Sequence, residues 1–126
     1  MPNIKFKYSR NELNYTLIII YMLIIFYLSS IPLDFPEIID LLDPTKFSLH
    51  VIEYSILGFL IFNAKRDKKF SILIGFFYAL TDEIHQSFVP YRIFSFFDLI
   101  ADFIGVYLGI ILFQSKENFI KIKFTG

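Results

Sequence analysis

The side chains best equipped for chemistry sit in one stretch, Asp82-Glu83-Ile84-His85-Gln86, with Asp98 and Asp102 shortly after it. They stand between segments apolar enough to lie in a bilayer. An ionisable group at a helix centre costs about 2.5–3.5 kcal/mol on insertion scales. Groups kept at that cost need partners or water, and they define a candidate site by default. A carboxylate beside an imidazole can exchange protons, and the same groups can hold a polar head group.

The elements that must position these groups read as helices in a membrane. Hydrophobic residues make up 56% of the 126 and aromatics 20%, including 17 Phe. That composition exceeds what a soluble domain of this size carries. The formal charge is zero, so bulk electrostatics points to no nucleic-acid partner. There is no Cys, which removes disulfide, thiolate and zinc-thiolate chemistry. The length suits one domain, spanning 1–126.

Four crossings are expected, at about 13–31, 44–63, 70–88 and 95–113, forming an all-α four-transmembrane-helix bundle. Leu13–Ile31 is a nearly unbroken apolar run closed by Pro32. It is longer than a usual signal-peptide core, and no A-x-A-like site follows, so a retained span is preferred. Asp34-Phe35-Pro36-Glu37 has the form of a capping box and opens a short amphipathic interfacial helix between the first two crossings. Asp43-Pro44 reads as the cap of the second crossing, Pro90 closes the third, and Ser95 caps the fourth. The tail from Gln114 alternates apolar residues with Lys121 and Lys123, an interfacial segment of undecided conformation.

Charge sorts along the chain. The N-terminus, the 64–69 turn and the tail hold ten of the twelve Lys and Arg residues. The other two connections contain only Lys46 and Arg92. The positive-inside rule therefore places both termini in the cytoplasm and predicts a multi-pass protein of the cell membrane.

This topology turns scattered polar residues into a cluster. His50 lies about 9 Å below the outer start of the second crossing, Glu83 about 10 Å from the outer end of the third, and Asp102 about 9 Å into the fourth. Asp98, Asp102, Gly105 and Gly109 share a stripe, as do His50, Glu53, Tyr54, Leu57 and Gly58. Gly75, Ala79, Asp82, Glu83 and Gln86 form a third. The stripes can pack with their polar ends in one outward-opening pocket, and the Gly105-x-x-x-Gly109 step allows a neighbouring backbone to come close.

Individual residues keep plainer readings. Asp98, three after Ser95, can complete a capping box or serve the site. Asp82 is expected at the interface or in solvent near its helix end, and Glu53 in a structural role. His85 is expected to snorkel or face a neighbour. Arg92 is expected to pair with Glu83 or Asp98, or to hold an anionic head group.

The pattern resembles the VanZ-like family of small bacterial membrane proteins. The residues that carry the resemblance are His50-x-x-x-Tyr54-x-x-Leu57-Gly58, Asp82-Glu83-x-x-Gln86-x-Phe88-x-Pro90-x-Arg92, and Asp98 with Gly105 and Gly109. They cover roughly 46–112. Two positions depart from the pattern. Tyr91 stands where Gly commonly precedes the Arg, and Asp102 stands where Asn is common, which adds negative charge to the pocket. The family's founding member contributes to teicoplanin resistance through the cell envelope, so the resemblance implies an envelope function. Most relatives occur outside resistance clusters, so a link to glycopeptide (teicoplanin) resistance is an open expectation for this chain.

The leading expectation is an extracytoplasmic-facing pocket engaging a lipid-linked or glycopeptide-like amphiphile. His50 and Glu83 would form an acid/base pair, with Tyr54, Asp82, Gln86, Arg92, Asp98 and Asp102 as binding residues. No nucleophile elbow, HExxH or phosphate-cradling loop is present. No cofactor is implied; His with oxygen ligands suits Mn, Fe or Zn, but no tight ligand spacing supports a metal. Two other classes compete. One is a proton or ion translocator, which with four helices requires a homo-oligomer through Gly105 and Gly109. The other is a non-catalytic accessory subunit whose polar residues stitch helices together.

Overall fold

The described residues form four α-helices: α1 Arg10–Ser30, α2 Phe47–Lys65, α3 Lys68–Gln86 and α4 Phe96–Thr125. The computed structural model describes residues 9–32 and 46–125. The expected interfacial helix near 34–42 and the Asp43-Pro44 cap lie outside these residues. Among the described residues there is no strand.

Local chemistry sets the helix starts. Ser9 and Glu12 form a complete capping box, the Ser9 hydroxyl accepting from the Glu12 N–H and the Glu12 carboxylate from the Ser9 N–H. Asp67 caps α3 by accepting from the Phe70 N–H at 3.0 Å. Ser95 caps α4 by accepting from the Asp98 N–H at 3.2 Å, as the sequence pattern predicts. The helix starting at Phe47 follows Lys46 in a left-handed conformation (φ 56) with no side-chain cap.

The tail resolves into helix: α4 continues past the expected end at 113 to Thr125. It is tied to the α2–α3 turn at that end of the bundle. The Arg66 guanidinium pairs with the Glu117 carboxylate and lies 4.4 Å from the centre of the Phe113 ring.

The most extensive helix contact is between α2 and α4. It is close because glycines line it. A Cβ on Gly109 would stand 2.0 Å from the Ser55 carbonyl oxygen, and one on Gly58 would stand 2.3 Å from that of Val106. Backbone meets backbone there, and only glycine leaves room. Gly105 and Gly109 thus spend their small surfaces inside the chain. The self-association expected through them finds this face already covered by α2.

Tyr54, Leu57, Ile61, Val106 and Ile110 fill the centre, joined by Ile18 and Ile25 from α1. Two tyrosines pin α1 to its neighbours through its own and α2's backbone. The Tyr21 hydroxyl donates to the Glu53 carbonyl at 2.9 Å, and that of Tyr78 donates to the Met22 carbonyl. Among the described residues three helices, α1, α2 and α4, are long and apolar enough to cross a membrane. Their outward faces carry exposed Leu, Ile and Phe side chains such as Leu23, Ile52 and Leu112.

Candidate functional site

The N-terminal ends of α2 and α4 and the C-terminal end of α3 meet at one end of the bundle, and the polar side chains meet there too. His50 stands one turn into α2. Its Nδ1 lies 2.8 Å from Asp102 Oδ1 on α4. With Asp102 a carboxylate, Nδ1–H donates, which fixes the imidazole's orientation and leaves Nε2 facing the other way. Nε2 then lies 3.8 Å from Asp98 Oδ2, one turn earlier on α4. Donor atoms of His50, Glu83 and Asp98 all lie within 4.8 Å of one another. Side chains from α2, α3 and α4 thus come within a few ångströms of one another at this end of the bundle.

Glu83 has no solvent exposure. Its Oε2 accepts from the Ser95 N–H at 3.1 Å, bridging the end of α3 to the start of α4. This bond decides the role of Asp98. A full capping box would give the Ser95 N–H to the Asp98 carboxylate; Glu83 takes it instead, and Asp98 turns towards His50. Of the expected capping box only the Ser95 half is formed, and the Asp98 carboxylate lies beside His50 instead of closing it.

A second chain of polar groups runs beside the first. The Tyr54 hydroxyl donates to Asp82 Oδ2 at 3.3 Å, and Gln86 Nε2 donates to the same oxygen at 3.0 Å. Gln86 Oε1 in turn accepts from Arg92 Nη1 at 3.1 Å, while Arg92 Nη2 donates to the Ile31 carbonyl at 3.1 Å. Two expectations are corrected here. Asp82 is only 4% exposed and faces the interior, because its i+4 neighbour Gln86 and Tyr54 across the α2–α3 contact both supply donors. Arg92 pairs with neither Glu83 nor Asp98. It spends two donors on an amide and on the carbonyl just past the end of α1, locking the α3–α4 connection onto α1.

Tyr91, immediately before that arginine, has φ 67 and is fully exposed. This is the left-handed region that favours glycine over a residue with a side chain. His85 faces a neighbour, as one of its two expected placements has it. Its Nε2 lies 2.9 Å from the Ser30 hydroxyl and its ring stacks on Phe26 with centroids 4.3 Å apart. It belongs to the α1–α3 contact and not to the chamber.

In front of His50 and Asp98 lies a cleft of about 1050 Å³ between α1, α2 and the start of α4. Ile24, Leu28, Ile52 and Ile56 line one part; His50, Glu53, Arg92 and Asp98 line another. Tyr54, Asp82, Glu83 and Asp102 lie behind this wall, buried. Among the described residues, three buried side-chain oxygens have no hydrogen-bond partner: Asp82 Oδ1, Glu83 Oε1 and Asp102 Oδ2. All three belong to this polar tier.

Sequence reasoning missed the backbone partners of the site, the Ser95 N–H and the Ile31 carbonyl. Ser95 was legible as a cap but not as a donor to Glu83, since that contact joins two helices. The Ile31 carbonyl carried no signal beyond the Pro32 that follows it. The sequence puts His50, Glu83 and Asp98 in one polar group but does not show that their donor atoms come within 4.8 Å of one another, because each residue stands on a different helix.

The family model for VanZ/LLP1 matches residues 13–120. No curated protein and no solved structure matches the chain.

Proposed function

The chain belongs to the VanZ/LLP1 family, and from that premise and the chamber's geometry we propose that it binds an envelope amphiphile at the outer face of the cytoplasmic membrane. The observation that carries this reading is the two-sided cleft. An apolar wall of Ile24, Leu28, Ile52 and Ile56 suits an acyl or prenyl tail, and the polar wall of His50, Arg92 and Asp98 suits its head group. Lipid-linked envelope precursors and lipidated glycopeptides such as teicoplanin have this two-part chemistry. Where the head group reacts, His50 and Glu83 are the proposed acid/base pair, with Asp102 orienting the imidazole.

In this reading the chain is one domain of four crossings with both termini cytoplasmic. The fourth crossing is α3. Its nineteen residues span about 28 Å. Its outward face, Phe70, Leu73, Phe77 and Ile84, is apolar and exposed, while Asp82, Glu83 and Gln86 turn inward. Beyond Lys68 and Lys69 at its start, most of the polarity of α3 thus comes from its inward side. The ion-translocation alternative is less favoured: among the described residues the buried centre beneath the polar tier is mostly apolar, with Leu57, Ile61, Val106 and Ile110.

The test is genetic and biochemical together. His50→Ala and Glu83→Gln should each abolish the envelope phenotype, read as susceptibility to envelope-directed agents including teicoplanin, while the protein still accumulates in membranes. Glu83→Gln is the cleaner variant, since the amide oxygen can still accept from the Ser95 N–H. An unchanged phenotype in both variants would remove the site; lost accumulation in both would favour the accessory-subunit reading.

A further inference from the structure

We propose that the chamber is a divalent transition-metal site, with His50 Nε2, Glu83 and Asp98 as ligands and Asp102 holding the imidazole from behind. The inference rests on the reading of this end of the bundle as a working site, and adds the cofactor.

Three independent features point to a cation. The first is the donor set: one imidazole nitrogen and two carboxylates, all within 4.8 Å of one another. One nitrogen with hard oxygen donors suits Zn²⁺ and Mn²⁺. Two ligands on one such ion stand about 3.3 Å apart. The 3.8 Å between Nε2 and Asp98 Oδ2 is too long for a hydrogen bond yet close to that separation.

The second feature is Glu83 Oε1. It belongs to a side chain with no solvent exposure and has no hydrogen-bond partner. A buried carboxylate oxygen left this way costs free energy, and a cation at the cluster would take up that lone pair. Its other oxygen, Oε2, is already anchored by the Ser95 N–H, so the carboxylate is held in place.

The third feature is the Asp102–His50 contact at 2.8 Å. A carboxylate accepting the Nδ1–H of a metal-binding imidazole is the usual outer partner at such centres, and it presents Nε2 as the ligand.

The cation also resolves a conflict in the amphiphile reading. Asp98 lines the polar end of the cleft and Glu83 and Asp102 lie buried behind it, so that end is acidic and repels an anionic head group. Arg92 is committed to Gln86 and the Ile31 carbonyl. A divalent ion bound between His50 and Asp98, both of which line the cleft, faces the opening and makes that end complementary to phosphate or carboxylate. With the ion in place His50 and Glu83 act as ligands; the acid/base pair describes the metal-free chamber.

The experiment uses the full chain in detergent, with no amphiphile added, and Zn²⁺ or Mn²⁺ as the probe. Wild type should bind about one equivalent, and the metal should raise its Tm. The Mn²⁺ form should show nitrogen coupling from a single imidazole by pulsed EPR. His50→Ala and Glu83→Gln should weaken binding by roughly 100-fold, and Asp102→Asn by about 10-fold. His85→Ala, which alters the only other histidine and lies outside the chamber, should bind as wild type does. The proposal is overturned if wild type binds no stoichiometric metal, if no nitrogen coupling appears, or if His50→Ala binds as tightly as wild type. Should the chamber variants fail to fold, stoichiometry and coupling in wild type and His85→Ala still decide the question. A wild type that binds no metal, alongside a lost phenotype in His50→Ala, overturns the cation site and leaves the amphiphile reading standing.

Discussion

Tyr54 and Asp82 show how much the polar tier depends on single bonds. Removing the hydroxyl in Tyr54→Phe takes one of two donors from a buried carboxylate. A bond to a charged group buried in protein contributes about 1.5–3 kcal/mol, whereas interhelical bonds in membranes average about 0.6 kcal/mol. We expect a loss of about 1 kcal/mol, measured by unfolding in mixed micelles. A loss below the measurement error would mean that water replaces the hydroxyl. Tyr91 offers the opposite sign. Its left-handed backbone costs a side chain roughly 1–2 kcal/mol that glycine does not incur, offset in part by glycine's extra freedom when unfolded. Tyr91→Gly should therefore stabilise the protein by up to about 1 kcal/mol, visible as a higher Tm. A lower Tm would show that the tyrosine ring makes contacts that its full exposure conceals.

Between helices, the glycine positions differ in what they can tolerate. At Gly109 an added Cβ meets backbone atoms, the Ser55 oxygen at 2.0 Å and the Phe59 nitrogen at 2.7 Å, so α2 and α4 must part. At Gly75 it meets the side chain of Val106, with both Cγ atoms at 2.7 Å. Overpacking of this kind costs about 1–3 kcal/mol, and more where backbone must move. Gly109→Ala should thus be the more damaging change and should resist rescue. Gly75→Ala should be rescued by Val106→Ala, because the double change roughly conserves volume at one contact. A double-mutant cycle in detergent measures the coupling, and additive effects at Gly75 and Val106 would contradict this contact.

Across the whole molecule, the proposed orientation puts the chamber on the outside and the Lys65–Lys69 turn in the cytoplasm. The absence of native cysteine makes the check direct. Tyr91→Cys, at a fully exposed position, should react with a membrane-impermeant thiol reagent in intact cells. Lys68→Cys should react only after permeabilisation. Reversed labelling would turn the cleft towards the cytoplasm and exclude envelope substrates on the outer face. The long α4 belongs to the same picture. Lys116, Lys121 and Lys123 follow the apolar part of that helix and add to the basic end defined by the turn.

The amino-acid sequence alone determined the order of the four described helices and the end of the bundle at which polar residues gather, but it left the helical tail of α4 undecided. These follow from local rules: runs of apolar residues, capping side chains, proline stops and sorted charge. It also marked His50, Glu83, Asp98 and Asp102 as a group, since residues on one face at matching depth must meet if their helices pack. Tertiary structure alone decided who pairs with whom. Arg92 goes to Gln86 and a carbonyl, Glu83 takes the Ser95 N–H, and Asp82 turns inward, because each choice depends on the rotation and closeness of helices from distant parts of the chain. Spacing along one helix sets which face a residue occupies, but a hydrogen bond between helices is decided within a few tenths of an ångström. That precision comes from backbone packing at the α2–α4 glycines, and linear sequence does not encode it one position at a time.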